Sequence, residues 1–320
     1  MMRLKGWLFL VLVLILVLVS FVYSTNRFEN SSKFREKYTI YSQLIPKNLD
    51  FAGERVPLEY FDVFEGLDRE IHINTYWQSQ TIFLLKKVNR YFPEIEPILK
   101  EENVPSDFKY LVVAESSLTN IASPSNAEGF WQFLKNTGKD YGLEINNEID
   151  ERYNLEKSTH AACKFLKESF KIYGSWTMAA ASYNIGRPGL SKHVKSQKEG
   201  YYYNLFLNEE TARYIFRILA MKMIVENPEL YGFHIQKKDL YPPFKFSTVK
   251  VDTSISDLAA FAKKFNTNYK LLKIFNPWLR NDQLTNKIRK EYFIRIPDET
   301  FRESAYENIF DSADSIQQRP

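Results

Sequence analysis

Val104-Pro105-Ser106-Asp107-Phe108-Lys109-Tyr110-Leu111-Val112-Val113-Ala114-Glu115-Ser116-Ser117 reads as a short helix that ends on a carboxylate. Pro105 suits the first turn, where a missing N–H costs nothing, and Ser106 and Asp107 favour the positive helix end. The segment turns apolar from Tyr110 to Ala114. Leu111 and Val112 lie four and three residues before Glu115, so the face around that carboxylate is apolar. Ser116, Ser117, Thr119, Asn120 and Pro124 then favour turns. Glu115 therefore sits near a helix C-terminus, where the dipole disfavours an anion. Both local causes raise its pKa, as a general acid requires. A half-buried glutamate at a helix end is also what a structural carboxylate looks like, so the segment alone leaves both readings open.

Working outward, the chain has 320 residues, a formal net charge of +4, 44% hydrophobic and 16% aromatic residues. That is enough apolar material for one large or two ordinary domains, and it excludes a globally disordered chain. The single cysteine, Cys163, excludes an intrachain disulfide framework. His72, His160, His193 and His234 are scattered, so no metal is expected, and no cofactor. A charge of +4 is too small to indicate nucleic-acid binding. At the N-terminus Arg3 and Lys5 precede an apolar run from Trp7 to Tyr23, close to the ~17 residues a spanning helix needs. This predicts residues 1–24 as a signal anchor, or a signal peptide cut after Ser24, with the rest of the chain exported.

Residues 25–50 are polar and read as a linker. Residues 51–232 are helical in pattern, with apolar stripes in Tyr76 to Tyr91, Glu156 to Tyr173 and Thr211 to Val225. Residues 233–246 read as a second linker, rich in Pro and Lys. Residues 247–297 change texture: strand-like Phe246 to Val251, short helices over Ile255 to Phe265 and Tyr269 to Phe275, and a closing strand from Tyr292 to Ile296. Residues 298–320 read as a charged, poorly packed tail.

Three further motifs follow Glu115-Ser116 in order: Gly129-Phe130-Trp131-Gln132, Ala181-Ser182-Tyr183-Asn184-Ile185-Gly186 and Glu210-Thr211-Ala212-Arg213-Tyr214-Ile215. With them, about Leu99 to Leu230 resembles the lytic transglycosylases of the soluble-lytic-transglycosylase fold, related to goose-type lysozymes. Phe130, Ser182 and Ala212 depart from the usual motif residues. The resemblance implies a mainly α, lysozyme-like catalytic domain in the periplasm or cell envelope that acts on peptidoglycan glycan strands. Glu115 would be the catalytic acid and then base, cleaving the MurNAc–GlcNAc bond with formation of a 1,6-anhydro sugar. Ser116, Ser123, Gln132, Tyr183, Asn184 and Tyr214 would bind substrate. Gly129, Trp131 and Glu210 would support the site, Glu210 through a pairing with Arg213 or Arg217.

Each motif residue also has a physical reading. Gly129 permits close backbone approach, and Phe130 with Trp131 can wall a sugar groove or fill a core. The Gln132 and Asn184 amides suit N-acetyl and hydroxyl groups. Tyr183 and Tyr214 can donate to Glu115 or to substrate. The Tyr201-Tyr202-Tyr203 run reads as packing rather than a sugar shelf. Val249 to Pro297 resembles a degenerate LysM domain, a small β-α-α-β carbohydrate-binding fold, through Val251-Asp252-Thr253, Asn276-Pro277 and Ile294-Arg295-Ile296-Pro297. Two other readings stay open: a muramidase-type hydrolase on the same fold, and a non-catalytic wall-binding scaffold.

Overall fold

The computed structural model describes residues 14–20 and 40–306. Residues 14–20 are helical (α1); the remainder of the apolar Trp7–Tyr23 run, on which the anchor expectation rests, lies outside the described residues. Among the described residues no helix is long and apolar enough to cross a membrane. Of the described residues, 44–306 form one compact unit.

That unit opens with a small hairpin, β1 (Asp50–Phe51) against β2 (Glu54–Arg55), and continues as helices. They are α2 (Phe61–Tyr76), α3 (Gln78–Glu101), α4 (Phe108–Ser116), α5 (Lys135–Asp140), α6 (Leu155–Tyr173), α7 (Trp176–Ile185), α8 (Arg187–Gln197) and α9 (Glu209–Glu226). The expected apolar stripes are the core faces. In α6, Leu155, Ala162, Phe165, Leu166 and Ser169 are buried; Asn154 caps its start through the Lys157 N–H, and Gly174 ends it in the left-handed region. α9 is the central helix. It is buried on most sides because α2, α4 and α7 all pack on it, and Asn208 caps it through the Thr211 N–H.

α3 runs ten residues past the expected Tyr91, through Pro93 and Pro97. Each proline removes one i→i−4 hydrogen bond. Burial of Phe92, Ile95, Ile98 and Leu99 over the same two turns offsets that loss.

The C-terminal part has the expected β-α-α-β order. β3 (Phe246–Val251) pairs antiparallel with β4 (Tyr292–Pro297), with Val251 opposite Tyr292, and α10 (Leu258–Lys264) and α11 (Tyr269–Phe275) lie between them in sequence. α10 starts three residues later than expected because Asp257 caps it through the N–H groups of Ala259 and Ala260. Leu258, Leu272, Trp278, Leu284, Tyr292 and Ile294 form a second core.

Residues 233–246 are not a loose tether. Phe233 is buried, and the Phe244 ring lies 6.3 Å from Tyr91, 4.6 Å from Phe275 and 6.1 Å from Phe301. The Tyr241 N–H donates to the Lys86 carbonyl at 3.1 Å. Pro and Lys make this stretch read as a link, but its aromatics decide the packing. The tail likewise begins with a short helix, α12 (Phe301–Ser304), docked through buried Phe301; residues 307–320 lie outside the described residues.

Candidate active site

The helix read within Val104 to Ser117 is α4, which begins at Phe108, so Pro105 and Ser106 precede it rather than form its first turn. Asp107 at its N-cap does more than favour its positive end. The Asp107 carboxylate accepts from the Ala52 N–H and from Lys222, both at 2.8 Å. One half-buried acid thus ties the start of α4 to the β1–β2 hairpin and to α9. At the other end Ser117 (φ +49°) and Leu118 (φ +52°) are consecutive non-glycine residues in the left-handed region, a costly reversal. Burial of Leu118 and a hydrogen bond from Lys87 to the Ser117 carbonyl at 3.1 Å hold it.

Glu115 therefore occupies the last turn of α4 and faces α9. The Tyr214 hydroxyl, on a side chain 1% exposed, donates to Glu115 Oε1. Burial pushes the Glu115 carboxyl up to about 7; the Tyr214 hydrogen bond and the Arg217 charge pull it down, and the Glu210 charge pushes it up. Glu210, Tyr214 and Arg217 stand at i, i+4 and i+7, so one stripe of α9 tunes the carboxyl. The expected shift is present, and its main cause is burial.

α7 brings Tyr183 and Asn184. Its N-terminus is anchored by Glu54, whose carboxylate accepts from the Ser175 hydroxyl at 2.8 Å and the Thr177 N–H at 2.9 Å, an anion at a helix start. Tyr183 does not donate to Glu115; its hydroxyl donates to the Trp131 carbonyl at 2.7 Å. Burial, and then the nearby Glu115 charge, hold the Tyr183 hydroxyl well above its ordinary pKa. Asn184 accepts from the Thr211 hydroxyl at 2.8 Å and donates to Glu210 at 3.3 Å. Glu210 is exposed. The expected pairing with Arg213 is absent: Arg213 reaches Glu70 at 2.6 Å and Glu209 at 3.3 Å, because Glu70 is buried in α2 and leaves no other cation to neutralise it.

The Gly129–Gln132 motif lies in a turn that folds back on itself. The Gly129 N–H donates to the Ile121 carbonyl at 3.0 Å. Gln132 (φ +51°) donates from its side-chain amide to the same carbonyl at 3.0 Å and to the Gly129 carbonyl at 2.7 Å. Gly129 has φ +82°, and a Cβ there would sit 2.0 Å from the Arg152 carbonyl oxygen. The close approach that requires glycine is thus to the protein's own backbone. Trp131 is a core residue, not a groove wall: it is fully buried, with its indole N–H on Thr159 at 2.9 Å, while Phe130, also buried, lines a pocket with Tyr91, Phe244 and Trp278.

Two other expected residues are engaged with backbone. Ser116, one position after Glu115, is rotated by the helix to the buried side and donates to the Val112 carbonyl at 3.2 Å. The Ser123 hydroxyl accepts from the Ala127 N–H at 3.0 Å and builds the turn that leads to Gly129. Tyr202 and Tyr203 are buried as packing, while Tyr201 is exposed.

Sequence reasoning missed Arg152. It is 4% exposed, pairs with Asp150 at 2.6 Å and Glu128 at 2.9 Å, and donates to the carbonyls of Asn126 and Phe133, each at 3.2 Å. No motif contains it. The only signal available was an Asp-x-Arg spacing, which is common in any chain.

Replacing Tyr214 by Phe tests the electrostatics of the pair. Tyr214→Phe removes a hydrogen bond that favours the Glu115 anion, so the carboxyl should titrate above 7. Turnover should fall about 10-fold, and the alkaline limb of its pH profile should move to higher pH. An unmoved limb would show that Tyr214 does not control the Glu115 proton.

Comparison with known families fits this geometry. Residues 93–206 match the transglycosylase SLT domain, which contains Glu115, Gly129 and Tyr183, and residues 247–300 match the soluble lytic transglycosylase C-terminal LysM-like domain. Two curated relatives, each named membrane-bound lytic murein transglycosylase D and from two Escherichia coli strains, are 28% identical over 192 residues. The match covers 58% of this chain and 42% of each relative, so the chain spans less than half of those proteins' length. In both its helical body and its C-terminal module, the chain is similar to the soluble-lytic-transglycosylase family.

Proposed function

We propose that this chain is an exported peptidoglycan lytic transglycosylase that cleaves the MurNAc–GlcNAc β-1,4 bond. The observation that carries the reading is the single carboxyl at the end of α4, lifted to about 7 by burial and oriented by Tyr214. At neutral pH such a group is part protonated and part ionised, so it can give one proton and then take another. Glu115 protonates the glycosidic oxygen and the bond to the muramoyl C1 breaks. The substrate's N-acetyl group stabilises the positive C1 centre. Ionised Glu115 then removes the proton of the muramoyl C6 hydroxyl, whose oxygen attacks C1. The product is a 1,6-anhydro sugar, and no water is consumed. Appearance of anhydro-ended fragments from purified sacculi tests the reading.

Tyr183, near enough to Glu115 to feel its charge, and Asn184, the next residue of α7, are proposed as the substrate-facing residues. The hydroxyls of Ser116 and Ser123 and the amide of Gln132 are engaged with backbone, so their part is to shape the site.

A hydrolytic reading on the same fold has one observation in its favour. Glu210 is exposed, unpaired with Arg213, and its charge bears on Glu115. It would have to serve as the base for water. The name of the curated relatives and the apolar run from Trp7 to Tyr23 support an envelope location with an N-terminal membrane anchor. The protein should then stay with membranes through a high-salt wash. Recovery of a soluble mature form beginning at Thr25 would replace the anchor with a cleaved signal.

A further inference from the structure

Ring contacts run from Phe130 through Tyr91 and Phe244 to Phe275. Besides these, the C-terminal module and the turn bearing Gly129 are joined by polar contacts through a short segment, residues 144–153. The Asp150 N–H donates to the Trp278 carbonyl at 2.9 Å, and the Arg280 N–H donates to the Glu148 carbonyl at 2.7 Å, forming a two-sided backbone bracket around the Ile149–Leu279 bridge. The Glu148 carboxylate accepts from the Thr285 N–H at 2.6 Å, the Thr285 hydroxyl at 2.9 Å and Gln283 at 3.0 Å. These donors hold the Glu148 carboxyl below its ordinary pKa. Ile149 and Tyr153, although contributed by the helical domain, belong to the hydrophobic core of the C-terminal module. The Arg280 guanidinium lies 4.1 Å from the centre of the Tyr153 ring.

The same segment grips the Gly129 turn from its other side. Arg152 pairs with Asp150, pairs with Glu128, and donates to the carbonyls that flank the turn at Asn126 and Phe133. The Arg152 carbonyl is the surface on which Gly129 rests. Trp131, inside the turn, receives the Tyr183 hydroxyl that stands beside Glu115. A continuous series of polar contacts therefore runs from Trp278 and Thr285, through residues 148–152, to the turn and to Tyr183.

We propose that the C-terminal module is a positioning element of the candidate active site: by holding residues 148–152 it fixes the Gly129–Gln132 turn, independently of any glycan the module itself binds. This rests on the glycan-cleaving reading above only for its kinetic consequence; the mechanical coupling can be read without activity. Arg152 and Glu148 are positioning residues and touch no reacting atom.

The test uses the full chain and Glu148→Ala, which removes the carboxylate bracket to Thr285 and Gln283. In hydrogen–deuterium exchange the amides of Glu128 and Gly129 should exchange about 10-fold faster or more, while α9 amides keep wild-type rates. Thr285→Val removes one of the three donors while keeping the side-chain shape, and should give a smaller change in the same direction if Glu148→Ala folds poorly. Wild-type exchange at Glu128 and Gly129 in both variants, with residues 283–285 loosened, would overturn the coupling. In kinetics, kcat should fall about 10-fold with little change in KM. The fall should be the same on intact sacculi and on soluble glycan fragments of two or three disaccharides. A loss confined to sacculi would mean that the module only tethers the polymer and would overturn the positioning role. A wild-type chain that cleaves neither substrate would sink the proposed function, and the exchange result would still decide the coupling.

Discussion

Glu115→Gln should lower glycan cleavage by about 10²–10⁴-fold and at the same time make the protein more stable above neutral pH. The loss follows from chemistry: the amide keeps the shape of the side chain, and it has no proton to give and no anion to take one back. The gain follows from linkage. Folded Glu115 keeps its proton up to about pH 7, whereas the unfolded chain releases it near the ordinary value of 4.5. Between these values the folded state binds more protons than the unfolded one, so wild-type stability falls as pH rises through that window. Glutamine carries no such penalty, and the advantage above pH 7 should reach up to about 3 kcal/mol. Chemical denaturation at pH 5 and pH 8 reads it directly. Near-normal turnover by the variant would remove Glu115 from the role of acid. Equal stability at both pH values would show that its burial is not what sets its pKa.

Arg152→Ala should cost about 3–5 kcal/mol of stability, measured by the same denaturation. The residue is 4% exposed, and it separates two carboxylates, Asp150 and Glu128, that would otherwise face each other without a cation. Its guanidinium also donates to the Asn126 carbonyl and to the Phe133 carbonyl, which the Glu128 N–H reaches as well. Arg152→Lys should recover part of the loss, because one ammonium can pair with one carboxylate but cannot reproduce the planar fork. A cost below about 1 kcal/mol for the alanine variant would mean that water replaces the guanidinium and that the turn does not depend on it.

Local order was legible wherever the determinant was local. Glu115 at a helix end follows from the apolar Tyr110–Ala114 run and the serines beyond, although the helix starts at Phe108, three residues after Pro105. The stripes of α6 and α9 and the β-α-α-β order of residues 246–297 follow from periodicity in the same way. What could not be read was which surface meets which. Tyr214 lies 99 residues from Glu115, and Tyr183 is 52 residues from the carbonyl it bonds. Nothing near either tyrosine says which of the two reaches the carboxyl. The Gly129 motif announced a close approach, and only tertiary structure reveals that its partner is Arg152. Trp131 looks the same in sequence whether it walls a groove or fills a core; the buried Thr159 hydroxyl on its indole decides for the core. Residues 233–246 read as a linker from their Pro and Lys, whereas Phe244 sets the packing.

The central claim is that one carboxyl performs both proton transfers without water. The C6 hydroxyl is held on the same sugar as the C1 it attacks, so it carries a large advantage in effective concentration over water that lacks a positioned base. Glu210 is the carboxylate whose charge reaches Glu115, and a hydrolase would need a base held ~6.5–9.5 Å from its acid with water between them. Digestion of purified sacculi in ¹⁸O-labelled water, with mass analysis of the released fragments, separates the two routes. The account predicts 1,6-anhydromuramoyl ends that carry no label. Labelled reducing ends as the main product would contradict it and make Glu210 the base of a muramidase.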